Sequence, residues 1–274
     1  MNMKRILRIL RDSWYYRTRG LKHNVYDAPL SKELSVMTYN IRCDSEDDGK
    51  HNWEYRKRYV AQVIRDERPS IVCLQELAPH TLKYLLHELE DYNFRSVDAK
   101  NGKKLHRELS GYGLAILFDR KRYIVRNEGH LWLSDTPNKP SRTWGNKEYR
   151  IVMFVELYDS YEDKCYHVYN THFDHVSTEA IEKSARLLAE RVVGLDNVYI
   201  AGDFNAEIGA LARLNDVLHH NVSDATPTFV GFRFQKGKIV DTIYTSMPCM
   251  RKVIVRKFNG YNASDHNAVR VYTI

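Results

Sequence analysis

Residues 165–177 read CYHVYNTHFDHVS. The stretch opens as a strand, with Val168 between aromatic and apolar neighbours. It then gathers Asn170, Thr171, His172, Asp174 and His175. A single polar end is ordinary where a strand turns. Here the ending repeats. LSVMTYN stops at Asn40, IVCLQE at Glu76, and NVYIAGDFN at Asp203 and Asn205, while NASDHNAV sets Asp265 and His266 just before an apolar run. If these strands share a rim, Asn40, Glu76, His172, Asp203 and Asn205 converge there. Asp203 and Asn205 stand two apart, as do Asn170 and His172, so each pair lies on one side of an extended backbone.

Short apolar runs separated by polar connections predict strands over 34–40, 71–75, 113–118, 130–133, 150–157, 165–171, 197–202, 239–245, 252–256 and 268–273. Helices are predicted over 53–67, 79–89 and 177–193. The first has Tyr59, Val63 and Ile64 in periodic positions and stops before Pro69; the third has Ser177 placed to cap its first turn. Many strands with few helices imply an α/β fold in which two mixed sheets pack on each other, with helices outside.

The 274 residues, 43% hydrophobic, suffice for one large domain with a full core. Cys43, Cys73, Cys165 and Cys249 are scattered with no CxxC pair, which reads as reduced, buried thiols in a cytoplasmic setting rather than a zinc site or disulfide framework. The net charge of +7 is unevenly placed: residues 1–22 hold seven Lys and Arg against Asp12 alone. The rest of the chain is therefore nearly neutral, and overall charge is no argument for nucleic acid. No apolar run is long enough for a transmembrane segment. Met3, Ile6, Leu10 and Trp14 recur at helical spacing among basic residues, so residues 1–33 read as a basic amphipathic extension ahead of a domain spanning 34–274. Such a helix suits an anionic membrane, nucleic-acid phosphates or a targeting role; packing its apolar face on the domain is the plainer reading.

Carboxylate and amide oxygens without a cysteine suit a hard divalent cation, Mg²⁺ or Mn²⁺, and Glu76 is the best single ligand candidate. No nucleophile elbow or reactive-cysteine setting is present, so the nucleophile is water, with the GDFN carboxylate Asp203 placed to deprotonate it. Histidines can stabilise charge on a phosphoryl oxygen. Asp241 sits in the apolar run KIVDTIY, where a lone buried carboxylate is costly; His266 is a reasonable partner for it.

The motifs TYNIR, LQE, NTHFDH, GDFNA, VDTIY and SDH stand in the order found in the endonuclease/exonuclease/phosphatase superfamily, which this chain resembles over residues 34–274. Asp47-Asp48-Gly49 with Trp53, WLSDTP, Trp144 with Arg150, and TFVGF resemble its uncharacterised bacterial branch of metal-dependent hydrolases. The resemblance implies a four-layer α/β sandwich and Mg²⁺-dependent phosphoester hydrolysis. It implies that Asn40, Glu76 and Asp265 lie at the metal and that His172 contacts the scissile phosphate. It further implies that Asp203 activates water, Asn205 orients the phosphate and Asp241 pairs with His266. Arg150, His175 and Trp144 are expected on the substrate side. A nuclease or nucleotide phosphodiesterase is the first expectation, with nucleic acid as a candidate partner. A phosphatase or phospholipase using the same site is the alternative. An inactive binding module would show decay in the motif set, yet every central residue is present. A monomer is expected.

Overall fold

The computed structural model describes residue 30 and residues 33–220, 226–232, 237–255 and 262–274. The predicted basic helix of the extension lies outside the described residues. Among the described residues, twelve strands form two six-stranded sheets. The first holds β1 (Ser35–Asn40), β2 (Ile71–Leu77), β3 (Tyr92–Asp98), β4 (Gly113–Asp119), β11 (Cys249–Val255) and β12 (Ala268–Thr273), in the order β11-β12-β1-β2-β4-β3. The second holds β5 (Tyr123–Trp132), β6 (Ile151–Asp159), β7 (Lys164–His172), β8 (Val198–Asp203), β9 (His219–His220) and β10 (Asp241–Thr245), in the order β5-β6-β7-β8-β10-β9.

Each sheet is built around a parallel pair joined by a helix. β1 runs into α1 (Trp53–Glu67) and returns as β2; β7 runs into α3 (Thr178–Val192) and returns as β8. α1 starts where the Asn52 side chain accepts from the Glu54 N–H, and it ends at Arg68 in the left-handed region, φ 45°, just before Pro69. α3 starts where Ser177 accepts from the Ala180 N–H. Pro79 opens α2 (Pro79–Glu88), where its missing N–H has no intrahelical role. The short α4 (Ala212–Val217) was not foreseen.

Three buried clusters separate four layers. Between the sheets, Val36, Ile71, Ile116 and Phe118 meet Met153, Val155, Val168 and Ile243. Outside the first sheet, α1 and α2 cover it through Val60, Ile64, Leu82 and Leu85. Outside the second, Ile181, Ala185, Leu188 and Leu214 of α3 and α4 do the same. The four-layer α/β sandwich is thus the observed fold. Burial on both faces explains why β1, β4 and β8 are continuously buried rather than alternating.

Besides the two-residue edge strand β9, which falls outside the predicted strands, two strands depart from expectation. β3 also falls outside the predicted strands, and β5 begins seven residues before the predicted 130–133. Both lie at sheet edges, β3 carries Asn93 and Arg95, and β5 carries Arg126, Asn127 and Glu128 across a register shift at Val125/Asn127. Edge strands are decorated with charge to block further pairing, which erases the apolar signal. The expectation of four buried thiols is also corrected: Cys73 is buried, Cys43 and Cys165 are half-buried, and Cys249 is exposed. Among the described residues, no helix is long and apolar enough to cross a membrane.

Sheet geometry fixes the rim. The C-terminal ends of parallel β1, β2, β7 and β8 point one way, and the antiparallel neighbours β10 and β12 begin there. Gly202, one residue before Asp203, pairs with Thr171, one residue before His172. A Cβ at Gly202 would lie 2.3 Å from the Thr171 carbonyl oxygen. We expect Gly202→Ala to lose about 1–3 kcal/mol in chemical denaturation through this overpacking. Gly209→Ala, where a Cβ meets nothing within 4 Å, is the control and should stay near wild type; equal stability of the two variants would contradict the tight β7–β8 approach.

Candidate active site

Asp203 is the hub of the rim and is 1% exposed. Its Oδ1 accepts from the Asn205 N–H at 2.9 Å, and its Oδ2 accepts from Asn40 Nδ2 at 2.9 Å. Two imidazoles converge on the same Oδ2: His172 Nε2 at 3.5 Å and His266 Nε2 at 3.7 Å. Neither is a good direct hydrogen bond, so the three atoms keep hydrogen-bonding capacity for an oxygen seated alongside them. Asp241 faces Asp203 across the β8–β10 ladder, and its Oδ2 lies 2.8 Å from His266 Nδ1. The predicted dyad is therefore formed.

Charge follows from these surroundings. Burial, with Asp241 alongside, pushes Asp203 up to about 7, against the pull of His266, Asn40 and the Asn205 N–H. Burial disfavours charge on His266, but Asp241 and Asp203 outweigh it and raise the imidazole to about 10. His172 goes the other way. Its burial, then the nearby Arg150 guanidinium, hold it well below its ordinary value. One histidine is thus cationic at neutral pH and the other neutral.

Glu76 sits beside this hub with φ 62°, next to the register shift between Leu74 and Leu77 in the β2–β4 pairing. The positive φ of a non-glycine residue is strain of the kind found at functional sites. Its Oε1 accepts from Asn40 Nδ2 at 3.0 Å and its Oε2 from the Cys43 N–H at 2.8 Å. Burial opposes its ionisation, but His172, the Asn40 amide and the Cys43 N–H prevail and bring it down to about 2. Asp265, raised by burial, also feels Glu76 as a like charge, and Arg42 Nε stands 3.8 Å from its Oδ2. Arg42 is held in turn by both carboxylate oxygens of Asp48 in the Asp47-Asp48-Gly49 motif.

A hard divalent cation fits this acidic side. Glu76 and Asp265 are oxygen donors close enough to act on each other as like charges, with the Arg42 guanidinium beside them. Asn40 sits beside them, but its amide is already spent on Glu76 and Asp203, and its Oδ1 accepts from the Arg42 N–H. Asp203, Asp241 and His266 also place three potential ligand atoms within 4.8 Å of one another. That trio is the less suitable holder, because the Asp241–His266 hydrogen bond consumes two of its atoms.

The substrate-side residues divide. Arg150, 5% exposed, donates from Nη2 to His175 Nδ1 at 3.0 Å, and its Nε lies 3.8 Å from Asp174 Oδ2. His175 is exposed, and Arg150 is close enough to act on His172. Trp144 is not brought to the cluster. It is buried in the layer between the second sheet and α3, and its Nε1 donates to Asp135 of the WLSDTP motif at 2.7 Å. A pair of widely spaced motifs is explained by one strut that holds a loop.

Several supporting residues were not legible as site residues. Tyr112 Oη lies 3.1 Å from His172 Nδ1. Arg56, on the buried face of α1, donates to the carbonyls of Ile41, Arg42, Cys43, His51 and Ala263, fixing the loops that carry Arg42 and Asp265. Thr228 of TFVGF accepts from the Val240 and Asp241 N–H groups, and Phe229 packs on the His266 ring. Two signals were available: Arg56 is a charged residue on an otherwise apolar helix face, and Thr228 and Phe229 stand in TFVGF.

The sequence profile of the Endonuclease/Exonuclease/phosphatase family matches residues 37–266. The chain belongs to that family. It is 28% identical over 236 residues to the uncharacterized protein L388 of Acanthamoeba polyphaga mimivirus, covering 77% of this chain and 83% of that one. The endonuclease/exonuclease/phosphatase of Bacteroides vulgatus is 25% identical and matches with a TM-score of 0.81, over 89% of this chain and 99% of that one. A mannosyl-6-phosphatase of Bacteroides thetaiotaomicron, 24% identical with a TM-score of 0.77 over 88% and 99% of the two chains, shares the fold. The family hydrolyses phosphoesters and generally uses divalent metals.

Asp241→Asn keeps the side chain's shape and removes its charge. In metal-free protein, we expect His266 of wild type to stay protonated through pH 8, and His266 of the variant to lose its proton at a markedly lower pH. Histidine ¹⁵N NMR reads both. Identical titrations would break the assignment of His266 as a cation held by Asp241.

Proposed function

We propose that the chain hydrolyses phosphodiesters with water activated by Asp203 and a divalent cation, Mg²⁺ or Mn²⁺, held by Glu76 and Asp265 with Asn40 beside them. The observation that carries this reading is the convergence of both imidazole Nε2 atoms on one oxygen of Asp203. A phosphoryl oxygen or water seated against this group meets a base and two ring nitrogens at once. Raised to about 7 by burial and Asp241, Asp203 is matched to accepting a proton near neutral pH. The cation supplies Lewis-acid polarisation of a phosphoryl oxygen. Water oxygen bonds to phosphorus, its proton passes to Asp203, and the phosphorus bond to the leaving oxygen breaks; that oxygen takes its proton from solvent. His266 faces the charge that builds on the phosphoryl oxygens as a cation, and neutral His172 faces it as a hydrogen-bond partner. Asn205, whose Nδ2 donates to the Phe173 carbonyl at 3.1 Å, orients the phosphate from the adjoining turn. Arg150 and His175 meet the substrate beyond the scissile group.

A polyanionic diester, nucleic acid or nucleotide, is favoured over a small phosphomonoester by the two loops on the His172 side. Residues 99–112 expose Lys100, Lys103, Lys104 and Arg107, and residues 133–150 expose Lys139, Arg142 and Lys147 beside Asp135 and Glu148. Trp132 joins them, donating from Nε1 to the Ala99 carbonyl and from its backbone N–H to the Pro137 carbonyl. A nearly neutral body therefore presents a basic flank beside the site, which is how phosphate backbones are steered. Residues 34–274 form the catalytic unit in this reading, and residues 1–33 add affinity for an anionic surface.

The test is a panel with Mg²⁺ or Mn²⁺: single-stranded DNA and RNA, abasic duplex, inositol phosphates, sphingomyelin and bis(p-nitrophenyl) phosphate. We expect diester turnover, and Glu76→Gln should reduce it by at least about 100-fold with an unchanged circular dichroism spectrum. Full turnover in a chelator would contradict the metal role. Turnover of inositol phosphates alone would favour the phosphatase alternative.

A further inference from the structure

Tyr112 belongs to none of the motifs that led to the site, yet its phenol reaches into it. The hydroxyl lies 3.1 Å from His172 Nδ1, and the two rings are 6.4 Å apart at 45°. The backbone of Tyr112 is fixed on both sides: its N–H donates to Asp98 Oδ2 at 3.1 Å and its carbonyl accepts from the Ala99 N–H at 2.8 Å. The flanking glycines let the chain come this close. Gly111 has φ 148°, and a Cβ there would lie 2.0 Å from Asp98 Oδ2; a Cβ at Gly113 would lie 1.9 Å from the Val97 carbonyl oxygen. The segment is therefore built to hold one side chain at one place.

We propose that Tyr112 is a positioning residue that fixes the tautomer of His172. Its hydroxyl donates to Nδ1, so the ring proton of neutral His172 resides on Nε2 and points at the phosphoryl position beside Asp203. Both ends of the ring agree. Burial keeps the phenol well above its usual value, so it retains a proton to donate. At the other end, Nε2 faces the Asp203 carboxylate at 3.5 Å, where an N–H is favourable and a lone pair is repelled. The opposite tautomer would turn the Nε2 lone pair on that oxygen. Tyr112 thereby gives His172 a role distinct from that of His266. A carboxylate on Nδ1, such as His266 receives from Asp241, favours an imidazolium, whereas a phenol leaves a neutral donor. The tautomer assignment stands on the geometry at both ring nitrogens of a neutral His172; its consequence for turnover rests on the phosphodiesterase reading.

Tyr112→Phe removes the hydroxyl and keeps the ring. In metal-free, ¹⁵N-histidine-labelled protein, wild-type His172 should show a protonated Nε2 and an unprotonated Nδ1. In Tyr112→Phe the Nδ1 resonance should move and an Nδ1-protonated population should appear, with an unchanged melting midpoint. On bis(p-nitrophenyl) phosphate with Mn²⁺, kcat should fall about 10-fold or more while KM stays within about two-fold, as when a partner that orients a site residue is lost. Tyr112→Leu, which also loses ring packing, should match Tyr112→Phe in the NMR readout and melt lower. A wild-type His172 protonated on Nδ1 would overturn the proposal. So would Tyr112→Phe resonances and kcat equal to wild type, with loss only in Tyr112→Leu. If wild-type protein turned over no diester, the functional reading would fail while the NMR result still decided the role of Tyr112.

Discussion

The site depends on one amide. Asn40 Nδ2, at the end of the first sheet's central strand, donates to Glu76 in its own sheet and to Asp203 in the opposite one. Apolar residues of two sheets can exchange one set of apolar neighbours for another, because hydrophobic contact is non-directional. A buried amide shared by two carboxylates cannot, since losing either bond strands a charged acceptor away from water. A second polar pair lies directly behind it. Gln75 of β2 donates to Asn170 of β7 at 2.7 Å, and Asn170 returns hydrogen bonds to the Leu74 and Ala115 carbonyls. The sandwich is thus apolar through its centre and keyed by amides at one rim. That rim is where the chemistry needs groups held to a fraction of an ångström.

On this frame the two histidines differ by environment, not by residue type. His266 lies between two carboxylates and keeps its proton. His172 lies near Arg150, bonded to a phenol, and gives its proton up. The rim as a whole is graded in the same sense. Asp48, Glu76 and Asp265 collect on one side, and exposed lysines of residues 99–112 and 133–150 on the other. An anionic ester bridging a cation and a basic flank fits both halves.

The sequence disclosed most of this because a buried polar residue at a strand end has few reasons to exist. Asn40, Glu76, His172 and Asp203 are legible that way, Asp241 is legible as a carboxylate inside an apolar run with His266 as its partner, and all six meet in space. The first and third long helices were legible from period, breaker and cap, with Tyr59, Val63, Ile64 and Pro69 marking one and Ser177 the other. What escaped has physical causes. β3 and the first part of β5 are edge strands whose charges hide their period. Tyr112 reads as an ordinary aromatic before a strand, and only the approach of β4 to β7 gives its hydroxyl a partner. Arg56 acts on five carbonyls scattered over more than two hundred residues, a pattern with no local spacing. Trp144 was expected at the substrate because it accompanies Arg150. Its indole instead serves a loop, while Arg150 alone reaches the site.

The central claim is that the acidic side of the rim, Glu76 with Asp265, holds a cation while the Asp203–Asp241–His266 trio stays free to act on water and phosphate. Anomalous diffraction from crystals soaked in Mn²⁺ tests it most directly. The account predicts an anomalous peak against the Glu76 carboxylate, with the Asp241–His266 hydrogen bond intact. A peak centred among Asp203, Asp241 and His266, with that hydrogen bond broken, would contradict it.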